Sequence, residues 1–278
     1  MNDTPKFRRA AERAEDALRP ISIETGVSKY AEGSTLVATG DTRVLVTASV
    51  ETRVPGFLVG SGRGWLTAEY AMLPRATATR SAREVTRGRP SGRSSEIQRL
   101  IGRSLRAGFD LAALGERTLT IDCDVLQADA GTRTASITGG WVAATQALAR
   151  LYLSGDLPNW PVVDQVAAVS VGLVGGRPLL DLDYEEDQGA EVDFNVVATA
   201  GGAFVEVQGT GERRCYTRGE LDRLLDLALA GIAALGAHQR EALAPELAAV
   251  AERRARGGRA AATPRDERDL WGPPRRGG

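Results

Sequence analysis

Between residues 118 and 151 the chain passes through one short turn from a strand-like run into a helical one, and no other feature limits the fold as much. Thr118–Leu126 (TLTIDCDVL) reads as a strand and Gln127–Thr132 as a turn. From about Arg133 the apolar residues Ile137, Trp141, Ala144, Leu148 and Leu151 recur at helical spacing. Upstream, Ile97, Leu100, Ile101, Leu105, Gly108 and Phe109 share one face of a helix predicted over Ser95–Leu114, which Gly115 ends. Ser95 and Gln98 have capping-box spacing, which puts Arg93 just ahead of that helix.

Strands are predicted at Thr35–Thr39 and Thr42–Val50, joined by Gly40-Asp41 as a hairpin. In the second half, Val166–Val174, Pro178–Leu182, Val192–Thr199 and Ala203–Gln208 read as strands, and Arg218–Arg254 as one long helix. Within Val192–Thr199, Val192, Phe194, Val196 and Ala198 alternate with Glu191, Asp193 and Asn195, so the acids fall on one strand face. This order argues an α+β fold, with helices packed on mixed sheets. Residues 51–92, rich in Gly, Pro and Arg, read as a long loop. Residues 1–17 are expected to form a mobile arm, 18–254 the folded catalytic domain, and 255–278 a disordered Arg/Gly/Pro-rich tail.

Composition narrows the chemistry. The 278 residues are 42% hydrophobic and 26% charged, as in an ordinary soluble globular protein. No apolar run is long enough to span a bilayer and no signal-peptide core opens the chain, so no membrane partner and a cytoplasmic location are expected. Cys123 and Cys215 are too few for a disulfide framework or a zinc site of the usual kind. The single histidine, His238, lies in a helical stretch far from any candidate site. Ser-His-Asp and Cys-His catalysis within one chain are thereby excluded, as are multi-histidine metal sites.

The net charge of −1 conceals two opposed stretches. Nine arginines lie between Arg75 and Arg106 against Glu84 and Glu96, and seven acids with no base lie between Asp181 and Asp193. A basic stretch suits a polyanion and a dense acidic one a hard cation, although either alone is more often a solvated face. The turn Gly131-Thr132-Arg133-Thr134 opens a helix, where free N–H groups and the dipole favour an anion. Gly131 admits close backbone approach, Thr132 can cap and donate, Arg133 offers a guanidinium fork, and Arg93 could close on the same anion. Taken alone, those four letters are as well explained by a capped turn and a surface arginine. Among the acids, Asp187 and Asp193 form a chemically adequate pair for magnesium.

An arginine-lined anion cradle without a histidine base fits attack by inorganic phosphate, already ionised at neutral pH. Carboxylate pairs can also activate water, so hydrolysis stays open at this point.

The stretches EGSTLVATGDTRVLVTASV, GWLTAEYAMLPRAT, EIQRLIGRSLRAGFDLAALGERTLTIDCDVLQADAGTRTASITGGW and VDFNVVATAGGAFVEVQGTGE closely resemble the bacterial ribonuclease PH family over about residues 18–250. The resemblance implies a ribosomal protein S5 domain 2-like fold and a homohexameric ring built as a trimer of dimers. It also implies reversible phosphorolytic removal of nucleotides from the 3′ ends of transfer RNA precursors, releasing nucleoside diphosphates, with a further part in ribosomal RNA processing. By motif position, Arg93, Gly131, Thr132 and Arg133 resemble the phosphate-binding set, and Asp187 and Asp193 the catalytic and Mg²⁺-binding carboxylates. Arg75, Arg80 and Arg83 are similar to the basic residues that grip transfer RNA. Ala78 stands where the family often has histidine, and the Arg-rich tail is not a core family feature. Two other readings remain: an inactive RNA-binding ring subunit, against which the intact set of arginines and aspartates speaks, and a hydrolytic metal-dependent nuclease.

Overall fold

The structure, a computed structural model, describes Arg9 and residues 12–257. Nine strands and six α-helices follow one another as β1 (Ile21–Thr25), β2 (Gly33–Thr39), β3 (Thr42–Glu51), β4 (Trp65–Met72), α1 (Gly92–Arg106), α2 (Leu111–Leu114), β5 (Thr118–Gln127), α3 (Thr132–Ser154), β6 (Val166–Val174), β7 (Arg177–Leu180), α4 (Tyr184–Gly189), β8 (Val192–Thr199), β9 (Phe204–Thr210), α5 (Arg218–Ala242) and α6 (Ala244–Gly257) among the described residues. The fold is α+β. One sheet runs β1-β2-β3-β5-β4, antiparallel except for the parallel pair β4–β5, and the other runs β7-β6-β8-β9, antiparallel throughout.

Helix α3 ties the sheets together, packing on β2 and β3 of the first and β6 of the second. The spacing read from Ile137 to Leu151 suggests one apolar face, but α3 is buried nearly all round: Thr132, residues 134–149 and Tyr152 are buried, while Arg133 is not. A helix enclosed on all sides needs small residues as well as apolar ones, and GGWVAAT supplies them. Helix α1 packs on β4, and α5 closes β6 and β7 over a second apolar cluster containing Phe194, Leu224 and Ile232. Burying each such side chain contributes roughly 1.5–3 kcal/mol. No helix among the described residues is long and apolar enough to cross a membrane.

Several sequence expectations need correction. Residues 51–92 are not one loop, because β4 occupies Trp65–Met72, where Leu66, Ala68 and Tyr70 alternate inward. Helix α1 starts at Gly92, not Ser95. Ser91 caps it, its side chain accepting from the Ser94 N–H, so Arg93 lies inside the first turn. It ends at Arg106, since the chain bends at Phe109 to bridge Val162 and restarts as α2 under an Asp110 cap before Gly115, at φ 65°, stops it. The predicted helix 218–254 is two helices broken at Leu243. Strand β1 and helix α4, which forms inside the acidic stretch, have no counterpart among the elements read from the sequence.

The described part of the segment expected to be a mobile arm is anchored. Arg9 is 5% exposed and its Nε lies 2.7 Å from Glu186 Oε1, while Arg13 lies 2.9 Å from Glu186 Oε2. Residues 1–8, 10 and 11 lie outside the described residues. So do residues 258–278 of the predicted tail, although α6 already covers 255–257.

Candidate active site

The site begins where β5 turns into α3. Ala130 (φ 55°) and Gly131 (φ 64°) both take left-handed backbone conformations, and Gly131 stands at the N-cap of α3. A Cβ at Gly131 would approach Arg19 Nη2 to 2.9 Å, so glycine serves both the conformation and the close approach. With no side-chain cap on this helix, the first N–H groups of α3 are free to meet an anion. Thr132 is therefore not a cap. It is the first helical residue, and its hydroxyl lies 2.8 Å from the Tyr70 phenol instead.

Arg133 projects from the same turn, held by Gln208 of β9 at 3.2 Å and facing Glu96 of α1 at 3.9 Å. Arg93, from the first turn of α1, reaches the same cleft. That cleft has a volume of about 630 Å³, and Arg93, Gly131, Thr132, Arg133, Asp187 and Asp193 all line it. The six residues proposed for phosphate and metal thus come together.

The acidic run is sorted by its partners. Asp181 is buried against Arg19, Oδ1 to Nη2 at 2.7 Å. Asp183 and Glu186 form the capping box of α4, and Glu186 also binds Arg9 and Arg13. Glu191 pairs with Arg214 at 2.9 Å. Asp187 and Asp193 have no such neutralising contact among the described residues and face the cleft. Burial pushes the Asp193 carboxyl up to about 6, helped by neighbouring Asp187 and opposed by Arg133. Its Oδ1 is buried without a hydrogen-bond partner. Asp187 is also pushed up by the protein around it, and Arg133 and Arg93 pull it down.

This pair fits a magnesium ion. The orphaned oxygen of Asp193 calls for a cation or a donor, and Mg²⁺ commonly takes one or two carboxylates and completes its shell with water and phosphate oxygens. Among the described residues no cluster of three or more carboxylate, cysteine or histidine ligands forms. A site here would therefore depend on the substrate for ligands.

The structure places Arg75, Arg80 and Arg83 elsewhere. They are exposed on the segment after β4, and none lines the cleft, although Thr77 of that segment does. Ser170, Tyr184, Asn195, Glu212 and Arg213 also line it and were not singled out from the sequence. One signal was present: Asn195 shares the polar face of β8 with Asp193. Ser170 becomes its neighbour only through the Ser170–Asn195 pairing of β6 with β8.

Residues 17–149 match the family model described as "3′ exoribonuclease family, domain 1", and residues 164–231 match the model for domain 2 of the same family. The chain belongs to the 3′ exoribonuclease family. Its cleft lies on the seam between the two matched segments: Arg93 and the 131–133 turn come from the first, Asp187 and Asp193 from the second.

Solved structures of similar fold include Rrp46 of rice (Oryza sativa), with 18% identity, a TM-score of 0.67, and coverage of 84% of this chain and 98% of that one. An archaeal exosome core matches at 22% identity and a TM-score of 0.67, covering 84% of this chain and 91% of that one. The Archaeoglobus fulgidus exosome with RNA bound to its active site matches at 25% identity and a TM-score of 0.67, covering 82% and 91%. The shared architecture is the ribosomal protein S5 domain 2-like α+β fold.

Proposed function

We propose that this 3′ exoribonuclease family member is a phosphate-dependent enzyme of the ribonuclease PH type, trimming the 3′ ends of transfer RNA precursors. The observation that carries the reading is the convergence in one cleft of two arginines, an uncapped helix N-terminus and two unneutralised carboxylates. Arg93, Arg133, Thr132 and the Gly131 backbone bind inorganic phosphate and screen its charge, leaving one oxygen facing the terminal phosphodiester. That oxygen attacks phosphorus, the bond to the 3′ oxygen of the preceding nucleotide breaks, and the terminal nucleotide departs as a diphosphate. The shortened RNA retains the 3′ oxygen, which takes up a proton.

Asp187 and Asp193 would hold Mg²⁺, which when bound supplies charge neutralisation at the reacting phosphate. Burial, with Asp187 beside it, makes the Asp193 carboxylate costly to keep ionised without a cation, which suits that role. Holding a phosphate requires no general base from the protein, in keeping with a chain whose only histidine, His238, lies on the exposed face of α5.

Arg75, Arg80 and Arg83, outside the cleft, would grip duplex phosphates of the acceptor stem through sequence-independent contacts. Assembly as a homohexameric ring, a trimer of dimers, in the cytoplasm is part of the same reading, supported by the fold shared with exosome cores. A role at ribosomal RNA 3′ ends follows from the same chemistry. The deciding experiment incubates RNA bearing a free 3′ end with and without phosphate. Shortening should require phosphate and release nucleoside diphosphates, whereas monophosphates released equally well without phosphate would overturn the proposal. Replacing all three exposed arginines by alanine should slow a precursor transfer RNA about tenfold at moderate salt while sparing a short single-stranded oligonucleotide.

A further inference from the structure

Beneath the cradle lies a group that the reaction as described does not use. Tyr70 of β4 is 3% exposed, opposite Cys123 of β5, and its Oη is 2.8 Å from Thr132 Oγ1. Among the described residues that hydroxyl is the only hydrogen-bond partner of the phenol. Each group carries one proton, so the contact can run in two directions. If Thr132 donated, the phenolic proton would be left buried without an acceptor, at a cost of about 1–3 kcal/mol. If Tyr70 donates, its one proton has an acceptor, and the Thr132 proton is released toward the cleft that Thr132 lines. A phenol is also the stronger acid of the two, and hence the better donor.

We propose that Tyr70 is a positioning residue whose O–H donates to Thr132 Oγ1 and so fixes the Thr132 hydroxyl as a donor to the anion bound in the cleft. The inference rests on the reading of that anion as phosphate. Burial pushes the Tyr70 phenol above its ordinary range, while Thr132, Arg93 and Arg133 pull it back, so it stays protonated through neutral pH. The chain Tyr70 to Thr132 to phosphate oxygen then points every proton one way, and each bond polarises the next. Without Tyr70, the threonine hydroxyl could rotate away and present a lone pair to the unprotonated phosphate oxygens, which would repel it.

The test uses the full chain and inorganic phosphate. Phosphate affinity is measured by calorimetry without RNA, and the KM for phosphate and kcat with RNA, for Tyr70→Phe, Thr132→Ser, Thr132→Val and the double variant Tyr70→Phe/Thr132→Val. Tyr70→Phe keeps the buried ring and should weaken phosphate binding about three- to tenfold, leaving kcat at saturating phosphate near wild type. Thr132→Ser keeps a hydroxyl for the phenol to donate to, and should bind phosphate more tightly than Thr132→Val. Thr132→Val should weaken phosphate binding at least as much as Tyr70→Phe, and adding Tyr70→Phe to it should change nothing further.

Wild-type affinity in Tyr70→Phe beside a weakened Thr132→Val would overturn the role of Tyr70 while leaving the phosphate cradle standing. Multiplying penalties in the double variant would likewise overturn it, since Tyr70 would then act through packing. Unchanged binding in Tyr70→Phe and Thr132→Val alike would take the Thr132 hydroxyl out of the anion site, whereas a wild-type chain that binds no phosphate would remove the cradle itself. Should phenylalanine at position 70 not fold, 3-fluorotyrosine placed there has nearly the same volume and is a stronger donor. It should tighten phosphate binding, and unchanged or weaker binding would count against the proposal.

Discussion

Two clusters of arginine and carboxylate flank the turn at 129–131, built from the same side chains with opposite outcomes. In the first, Arg9, Arg13 and Arg19 close on Glu186 and Asp181 at 2.7–2.9 Å, with every one of these side chains at most 10% exposed. In the second, Arg133 comes no nearer to a carboxylate than 3.9 Å, and Asp193 keeps a buried oxygen with no partner. The first cluster joins the N-terminal segment to the acidic helix, its charges paired within the protein. The second leaves both signs of charge facing an open cleft, the condition in which preorganised charge can act on a substrate. Charge density along the sequence does not separate the two; the presence or absence of a local counter-charge does.

The comparison is broken most directly at the open cluster. Arg133→Ala should lower turnover by about 10²–10³-fold with the thermal midpoint nearly unchanged, as judged by steady-state phosphorolysis beside thermal melting. Asp193→Asn should act on turnover to a similar degree while RNA still binds. If either variant retained near wild-type turnover at limiting magnesium, the reacting centre would have to lie elsewhere in the cleft.

At the closed cluster the expected effect is on stability. Arg19→Met removes the guanidinium 2.7 Å from Asp181, 2% exposed, leaving Arg13 at 4.0 Å, and should destabilise the fold by about 3–5 kcal/mol in urea unfolding. Adding Asp181→Leu should recover much of that loss by removing the stranded charge. A neutral Arg19→Met would mean that this cluster is no more structural than the other.

The smallest effect sharpens the contrast through pH. The Asp193 carboxyl, pushed up to about 6, binds its proton more tightly folded than unfolded, where an aspartate titrates near ~3.9. Its ionised form therefore costs stability above about pH 6, and that cost is relieved as pH falls through 6 toward 4. In magnesium-free buffer Asp193→Asn should be more stable than wild type at pH 8, with a gap that narrows as the medium is acidified. A gap that widens on acidification would contradict the burial of Asp193 described here.

Much of the site was legible because its parts are local. Gly131, Thr132 and Arg133 are adjacent, and the strand-to-helix change around them shows in the periodicity. Asp193 stands out as an acid on the polar face of an alternating strand. Other features failed for identifiable reasons. Strand β4 was missed although Leu66, Ala68 and Tyr70 alternate, because the surrounding Gly, Pro and Arg residues outweighed a short pattern. The start of α1 was placed late because Ser91 and Ser95 are both plausible caps, and the choice depends on Glu84, which accepts from Ser94 Oγ at 2.7 Å and from the Ser91 N–H at 3.3 Å.

The sequence by itself determined the α+β class, the turn proposed to hold an anion and the pool of acids that contains Asp187 and Asp193, since each depends on residues close together in the chain. Which acids of that pool are neutralised was decided only by tertiary structure, because the arginines that neutralise Asp181 and Glu186 come from more than 160 residues away. The same holds for the Tyr70–Thr132 contact, created when β4 lies parallel to β5 and places a buried phenol beneath the first turn of α3. Hydrogen bonds need direct contact and charge interactions are screened beyond about 10 Å, so the role of a charged or polar side chain is fixed by what the fold brings beside it, whatever precedes and follows it along the chain.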